Sequence, residues 1–272
     1  MNFFSKESKD YIKRSFKKGN VVCLTGAGIS AESGIPTFRG KGGLWKKYDP
    51  QTYAYSEGLI SILKTRPQDL VNFIVDFYSL LIKAHPNPAH IALAVLEKEG
   101  ILSSVITQNI DNLHTQAGSR NVIELHGNAF RIRCMNCGKN ITLEKERIEE
   151  FVQLLKINQD SHIKILKVLS RYFPRCNCRG RYRPDIVLFG EALTQDELSC
   201  AYEQLDKCNV LLLIGSSLVI YPAASLPLYA KEKGAKLIEI NSEPSALSQI
   251  CDYKIAGRAS EVMPEILTML EN

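Results

Sequence analysis

Short apolar runs that end in turn residues recur along the chain. They lie at residues 21–24, 104–107, 122–125, 210–214 and 236–240. A run that is apolar at successive positions predicts a strand buried on both faces, which is typical of a parallel sheet. Helical patterns separate the runs, most clearly at residues 89–98, 223–233 and 260–270.

This alternation of strands and helices predicts a Rossmann-like, doubly wound α/β fold. Two segments interrupt it. Residues 41–87 show helical spacing of aromatic and aliphatic side chains, and residues 131–183 contain a cysteine cluster. We therefore expect a helical insertion and a smaller metal-binding module, inserted into a nucleotide-binding domain formed by residues 1–40, 88–130 and 184–272.

Polar residues follow each predicted strand, at the end where sheets of this kind bind ligands. Those residues include Thr25-Gly26, Gln108-Asn109, His126-Gly127, Gly215-Ser216-Ser217 and Asn241-Ser242. The first group continues into Gly28, and such glycines let the backbone approach a pyrophosphate closely. The third glycine of a dinucleotide fingerprint is replaced by Ala31, so this turn alone also fits a plain connection from strand to helix.

The chain has eight cysteines, four of which cluster as Cys134-x2-Cys137 and Cys176-x-Cys178. In a reducing compartment such a cluster indicates a metal site more often than disulfides. Four thiolates suit tetrahedral Zn²⁺ and leave no open coordination position, so the zinc would be structural. The alternative is four free thiols in a small module.

Composition excludes little else. Hydrophobic residues make up 45% of the chain and charged residues 23%, as in ordinary globular proteins. Neither a membrane-length apolar run nor the apolar core of a signal peptide is present, so we expect a cytoplasmic protein without a membrane partner. The net charge of +5 could favour an acidic partner or a nucleotide, but we find no nucleic-acid-binding motif and predict no direct nucleic-acid binding.

Longer motifs, in order along residues 20–245, are similar to those of the sirtuin family. They are Gly26-Ala27-Gly28-Ile29-Ser30-Ala31-Glu32-Ser33-Gly34-Ile35-Pro36-Thr37-Phe38-Arg39-Gly40, Thr107-Gln108-Asn109-Ile110-Asp111-Asn112-Leu113-His114, Glu124-Leu125-His126-Gly127, Arg183-Pro184-Asp185-Ile186-Val187-Leu188-Phe189-Gly190-Glu191, Gly215-Ser216-Ser217-Leu218-Val219-Ile220-Tyr221-Pro222-Ala223-Ala224, and Ile240-Asn241-Ser242-Glu243.

The resemblance implies an enzyme that consumes NAD to remove acyl groups from lysine side chains of peptides or proteins. The acyl oxygen attacks the ribose carbon that bears nicotinamide, nicotinamide leaves, and the acyl group ends on ADP-ribose. His126 would be the catalytic base, which suits a side chain that titrates near neutrality. A lone histidine is more often structural, and the flanking motif is what favours the catalytic reading.

The resemblance also implies roles for the other motif residues. Asn109 and Asp111 would serve catalysis in the nicotinamide pocket, together with Ser30 and Ile110, and Gln108 would contact the ribose. Further NAD contacts would come from Gly26, Ala27, Gly28, Ala31, Phe38, Arg39, Gly215, Ser216, Ser217, Asn241 and Ser242.

The acyl-peptide would add as a strand between two segments and take its affinity from main-chain hydrogen bonds. The residues implied are Val187, Leu188, Phe189, Gly190, Glu191, Val219 and Tyr221. Residues 186–189 equally fit an ordinary buried strand.

Two positions in the helical insertion indicate which acyl group the enzyme would prefer. Family members that prefer acidic acyl groups carry a Tyr and an Arg three apart, and counting back from Pro86 places Ile74 and Phe77 there. A buried carboxylate without a cation is costly, so we expect acetyl or longer apolar acyl groups over succinyl. Two further readings stay open: a mono-ADP-ribosyltransferase that uses the same NAD site, and a protein that binds NAD without consuming it.

Overall fold

The computed structural model describes residues 3–37 and 44–271. In these ranges the strands are β1 (Val21–Thr25), β2 (Leu102–Thr107), β3 (Val122–Glu124), β4 (Gly127–Cys134), β5 (Asn140–Thr142), β6 (Tyr182–Ile186), β7 (Val210–Ile214), β8 (Lys236–Asn241) and β9 (Tyr253–Ala256). The α-helices are α1 (Lys6–Phe16), α2 (Pro50–Tyr53), α3 (Ser56–Thr65), α4 (Pro67–Lys83), α5 (Pro88–Lys98), α6 (Leu113–Gln116), α7 (Lys145–Ile157), α8 (His162–Tyr172), α9 (Gln195–Asp206), α10 (Leu226–Glu232) and α11 (Ala259–Glu271).

The larger sheet is parallel throughout and has the order β3-β2-β1-β7-β8-β9. Strands β2 and β3 lie on one side of β1, and the later strands β7, β8 and β9 lie on its other side. The strand order therefore reverses between β1 and β7. Successive side chains of β1 enter different cores: Val21 and Cys23 face one, and Val22 and Leu24 face the other. This period-two burial on both faces explains why the strand is apolar at every position.

Helices cover both faces of this sheet. On one face, Ile12 of α1, Leu93 of α5 and Ile266 of α11 are fully buried in a shared core. On the other face, Leu205 of α9 and Leu226 of α10 are fully buried. Each such side chain contributes roughly 1.5–3 kcal/mol of hydrophobic stabilisation. The predicted doubly wound fold is therefore confirmed.

A smaller antiparallel sheet, in the order β5-β4-β6, carries the clustered cysteines. Helices α7 and α8 pack beside it through an aromatic contact, in which the rings of Phe151 and Tyr172 stack with their centroids 3.8 Å apart. Helices α2, α3 and α4 enclose a separate aromatic cluster around Tyr48, Tyr53 and Phe73.

Local structure differs from the sequence prediction at three places. The turn after β1 leads into a 3₁₀ helix, Ala27–Ser33, rather than an α-helix, and it ends at Gly34 in the left-handed conformation before Pro36. The helix predicted at 223–233 begins with a separate 3₁₀ turn before α10. Strand β9 was missed because, as an edge strand, it exposes Lys254 and Ala256 and lacks an apolar run.

Within the described ranges, no helix is both long enough and apolar enough to span a bilayer.

The Gly215 backbone gives a first test of this fold. Gly215 has φ 62°, and an added Cβ would lie 2.3 Å from the Ile29 nitrogen. Gly215→Ala should lower the free energy of unfolding by about 3 kcal/mol, since a left-handed residue costs about 1 kcal/mol and overpacking about 1–3 kcal/mol. Gly234→Ala is the matched control, because Gly234 has φ 93° but no heavy atom within 4 Å of an added Cβ. Urea denaturation of both variants measures the difference, and equal losses would contradict the close approach.

Candidate functional site

The site lies where the strand order of the large sheet reverses, at the carboxyl ends of β1 and β7. The two turns touch: the Gly28 N–H donates to the Gly215 carbonyl at 2.7 Å. A Cβ on Gly26 would meet the Ser216 Cβ at 2.8 Å, and one on Gly28 would meet the Gly215 Cα at 2.7 Å. These glycines are therefore required by the meeting of two backbones, and they leave a shallow backbone surface of the kind that a pyrophosphate approaches.

A buried polar cluster stands behind this surface. Ser30 Oγ donates to Asp111 Oδ2 at 2.6 Å and accepts from Asn109 Nδ2 at 3.1 Å. Asn109 Nδ2 also reaches the Gly26 carbonyl at 3.1 Å. Burial raises the pKa of the Asp111 carboxyl, although Ser30 and the Leu113 N–H donate to it and oppose the rise. The structure thus brings the predicted residues Ser30, Asn109 and Asp111 into one cluster.

A second set of hydrogen bonds connects residues at the carboxyl ends of β2, β7 and β8. Gln108 Nε2 donates to Ser216 Oγ at 2.8 Å, and Asn241 Nδ2 donates to the Ser216 carbonyl at 2.9 Å. Ser217 and Ser242, which follow on β7 and β8, are exposed. Gln108, Ser216 and Asn241 are therefore held in fixed positions, whereas the two serine hydroxyls stand open to a ligand.

His126 is half-buried between β3 and β4. Its Nδ1 lies 2.8 Å from the Gln108 carbonyl, which can only accept, so Nδ1 carries the proton. The other nitrogen, Nε2, is then the basic one. Burial lowers the pKa of His126 below its usual value, and the hydrogen bond to Gln108 only partly offsets this effect. The neutral imidazole that a base requires is thus the favoured form at neutral pH.

Gly127 fixes the chain direction directly after His126. It has φ 77°, and an added Cβ would lie 2.0 Å from the Asp185 carbonyl oxygen on β6. The His126 carbonyl accepts from the Val187 N–H at 2.9 Å. The segment that follows β6 is therefore bonded directly to the backbone of His126.

Two buried histidines support the cluster and were not predicted. Thr25 Oγ1 donates to Thr107 Oγ1 and therefore accepts from His114 Nε2, both at 2.9 Å. Thr107 Oγ1 in turn accepts from the Asn109 N–H at 3.0 Å. His90 contacts Ser30 at 3.5 Å, and burial lowers its pKa to about 4. The sequence signals were a helix-capping spacing from Asn87 to His90 and, for His114, its place at the end of the motif that begins at Thr107.

An ion-paired triad, also missed, braces the strands around His126. Arg131 Nη1 lies 2.9 Å from Glu124 Oε2, and Arg131 Nε donates to Asp185 Oδ2 at 2.5 Å. Arg131 thereby joins β3, β4 and β6. Asp185 is 54 residues from Arg131 in the sequence, so no local pattern could have shown that the three charges meet.

The residues implied for peptide binding lie at the surface. Phe189, Val219 and Tyr221 are exposed by 42%, 39% and 69%. The Glu191 carboxylate accepts hydrogen bonds from Arg183 Nη1 at 2.6 Å and from the Leu188 N–H at 3.0 Å. These bonds fix the conformation of residues 187–191. No strand forms over residues 187–190, so the alternative of a buried strand at 186–189 is wrong.

The remaining predicted contacts are placed as follows. Ala27 and Ala31 lie in the 3₁₀ helix after β1, and Ile110 is half-buried after β2. Phe38 and Arg39 lie outside the described residues.

The four clustered cysteines converge. The sulfur atoms of Cys134, Cys137, Cys176 and Cys178 all lie within 4.8 Å of one another. Gly180 packs against them so closely that an added Cβ would meet the Cys134 sulfur at 2.7 Å. A set of four sulfur ligands fits a structural Zn²⁺, as predicted.

Known proteins resemble this chain over most of its length. The model of the Sir2 family matches residues 26–222. The chain is 46% identical over 253 residues to an NAD-dependent protein deacylase of Pyrococcus furiosus, a match that covers 92% of this chain and 93% of the relative.

Solved structures give the same result. A Sir2 homologue in complex with NAD has a TM-score of 0.77 at 37% identity and covers 96% of this chain and 93% of its own. A complex of Sir2 with a p53 peptide and NAD+ has a TM-score of 0.72 at 34% identity and covers 96% of this chain and 97% of its own.

The cysteine cluster predicts the effect of metal removal. Cys176→Ser should abolish tight zinc binding and unfold the module around it, because three thiolates no longer close the tetrahedral site. Cys200→Ser is the control, since Cys200 is an exposed cysteine on α9 outside the cluster. Zinc content by mass spectrometry and helicity by circular dichroism would be measured for both. Full zinc occupancy in Cys176→Ser would show that the cluster is not the zinc site.

Proposed function

Because this chain belongs to the Sir2 family, we propose that it transfers the acyl group of acyl-lysine residues to the ADP-ribose part of NAD. The observation that carries the proposal is the hydrogen bond of His126, which fixes the ring nitrogen that holds the proton. Its Nδ1 is committed to the Gln108 carbonyl, which leaves Nε2 as the base beside the Ser30–Asn109–Asp111 cluster.

NAD, when bound, supplies the ribose carbon that receives the acyl oxygen as nicotinamide leaves. The chain's part is to hold and shield that centre. Asn109 and Asp111 offer amide and carboxyl groups in a buried cluster, which suits recognition of a carboxamide. His126 Nε2 accepts a proton from a ribose hydroxyl, and the lowered pKa of His126 keeps that nitrogen free to do so.

The acyl-peptide is proposed to lie between residues 187–191 and residues 219–221. Exposed apolar side chains on both segments, Phe189, Val219 and Tyr221, support this position. The Val187 N–H already binds the His126 carbonyl. A peptide on this segment would therefore lie next to the base.

The three-part division predicted from the sequence belongs to the same proposal. Residues 1–40, 88–130 and 184–272 would bind NAD, residues 41–87 would form the helical insertion, and residues 131–183 the zinc module. The free thiols and the thiolate cluster suit a reducing compartment, which supports a cytoplasmic location.

Mass spectrometry of NAD incubated with an acetyl-lysine peptide tests the reaction. Acetyl-ADP-ribose and free nicotinamide, both dependent on the peptide and both lost in His126→Ala, would establish deacylation. ADP-ribose attached to protein would instead indicate a mono-ADP-ribosyltransferase. Intact NAD with folded, zinc-loaded protein would indicate binding without turnover.

The lowered pKa of His126 predicts the acid limb of the pH profile. Activity requires neutral His126, and protonation occurs only below the usual imidazole pKa of 6.5 because burial disfavours the charged form. The value of kcat/KM should therefore be constant through neutral pH and fall with a midpoint below 6.5. Initial rates with a peptide that carries no titratable side chain measure the profile. A midpoint at or above 7 would contradict the buried neutral base.

Acyl preference follows from the apolar positions on α4. Ile74 and Phe77 are partly buried, and Phe77 stacks on Phe73 with ring centroids 6.1 Å apart, so neither position offers a cation. The kcat/KM for a succinyl-lysine peptide should be lower than that for the matched acetyl peptide by roughly tenfold or more, since an unpaired carboxylate loses its hydration there. A butyryl peptide is the control for chain length, because butyryl and succinyl groups are of similar length and differ in charge. A faster succinyl reaction would overturn the preference.

A further inference from the structure

Positive charge is concentrated in one part of the chain. Residues 131–183 contain 13 Lys and Arg against 5 Asp and Glu, a formal excess of +8, whereas the whole chain carries +5. The rest of the chain is therefore slightly acidic. Four zinc-bound thiolates reduce this excess only in part, because the ion itself carries two positive charges.

The basic side chains nearest the cysteines form what we call the arginine tip, made up of Arg133, Lys139, Arg175, Arg179 and Arg181. Arg175 and Arg181 are directly opposite each other in an isolated antiparallel bridge, and Arg179 lies in the turn between them. Arg175, Arg179 and Arg181 are exposed. Among the described residues, no ion pair involves any member of the tip.

The backbone that carries these arginines is held in place. The Cys176 N–H donates to the Gly180 carbonyl and the Arg179 N–H to the Cys176 carbonyl, both at 2.8 Å. The Met135 N–H donates to the Arg181 carbonyl at 3.0 Å, which ties the two cysteine-bearing turns together. Like charges directly opposite each other repel, and a bound anion would relieve that repulsion without reorganising the backbone.

From this geometry we propose that the arginine tip docks acidic segments of the acyl-lysine proteins on which the enzyme acts. Guanidinium groups bind carboxylates in bidentate fashion, and three of the four arginines of the tip are exposed. The polar and apolar side chains between them, Met135, Asn136 and Asn177, offer no ring on which a nucleobase could stack. An acidic peptide therefore fits the tip better than single-stranded nucleic acid.

The position of the tip relative to the proposed peptide segment sets the spacing. Arg181 immediately precedes β6 and Val187 immediately follows it. Five strand residues span about 17 Å, so an extended substrate needs roughly six or more residues between the acyl-lysine and its acidic cluster. This inference rests on the proposed deacylation for its kinetic readout, whereas binding to the tip can be measured without turnover.

The test uses acetyl-lysine peptides that carry a tail of four glutamates or four glutamines, after a flexible spacer of two or ten residues. The triple variant Arg175→Gln, Arg179→Gln, Arg181→Gln removes three charges from the tip. The control triple Lys6→Gln, Lys9→Gln, Lys17→Gln removes three exposed charges at α1. Zinc content and the rate with the untailed peptide verify that each variant is folded.

We expect the wild type and the control to show a KM about fivefold to tenfold lower for the glutamate tail on the long spacer, since exposed ion pairs are individually weak. The tip variant should lose this preference, and salt should reduce it in the wild type. Fluorescence anisotropy of the same peptides without NAD separates docking from catalysis. Equal affinity of both triples for the glutamate tail, or a tip that binds duplex DNA but not the acidic peptide, would overturn the proposal.

Discussion

The close approach of two backbones, after β1 and after β7, is the constraint on which the site depends. The Gly28 N–H bonds to the Gly215 carbonyl, and neither Gly26, Gly28 nor Gly215 has room for a Cβ. Once the turns meet, Ser30 comes within hydrogen-bond distance of Asn109 and Asp111, which arrive from β2. The glycines thus bring together polar groups from three strands before any ligand binds.

Burial favours the neutral forms of both Asp111 and His126, although it shifts their pKa values in opposite directions. It raises the pKa of Asp111 and lowers that of His126, because loss of hydration penalises whichever form is charged. His90 and His114 are shifted in the same direction as His126. These three histidines are therefore neutral at neutral pH. In the proposed reaction, neutral imidazoles would not repel the positive charge that the nicotinamide ring carries until it leaves.

The elements that could be predicted from the sequence are those determined by burial or by the spacing of a motif. The strands that are buried on both faces were found because apolar residues predominate in them. The four cysteines were found because they lie in two closely spaced pairs. Strand β9 was missed since one face of it is solvated. The Arg131 triad and the chain from His114 through Thr25 to Thr107 were missed for another reason: their members are distant in sequence and meet only after the sheet forms.

Short stretches of chain and an ion pair connect the small sheet to His126. β4 starts at the residue after His126, β6 receives Arg131 through Asp185, and the first residue after β6 bonds to the His126 carbonyl. Breaking a paired buried charge is costlier than its net contribution suggests, because the partner is left uncompensated. Disorder in the zinc module would therefore be transmitted through Glu124, Arg131 and Asp185 to the orientation of His126. A metal with no open coordination position would in this way affect the proposed catalysis, since it holds the two strands that flank His126.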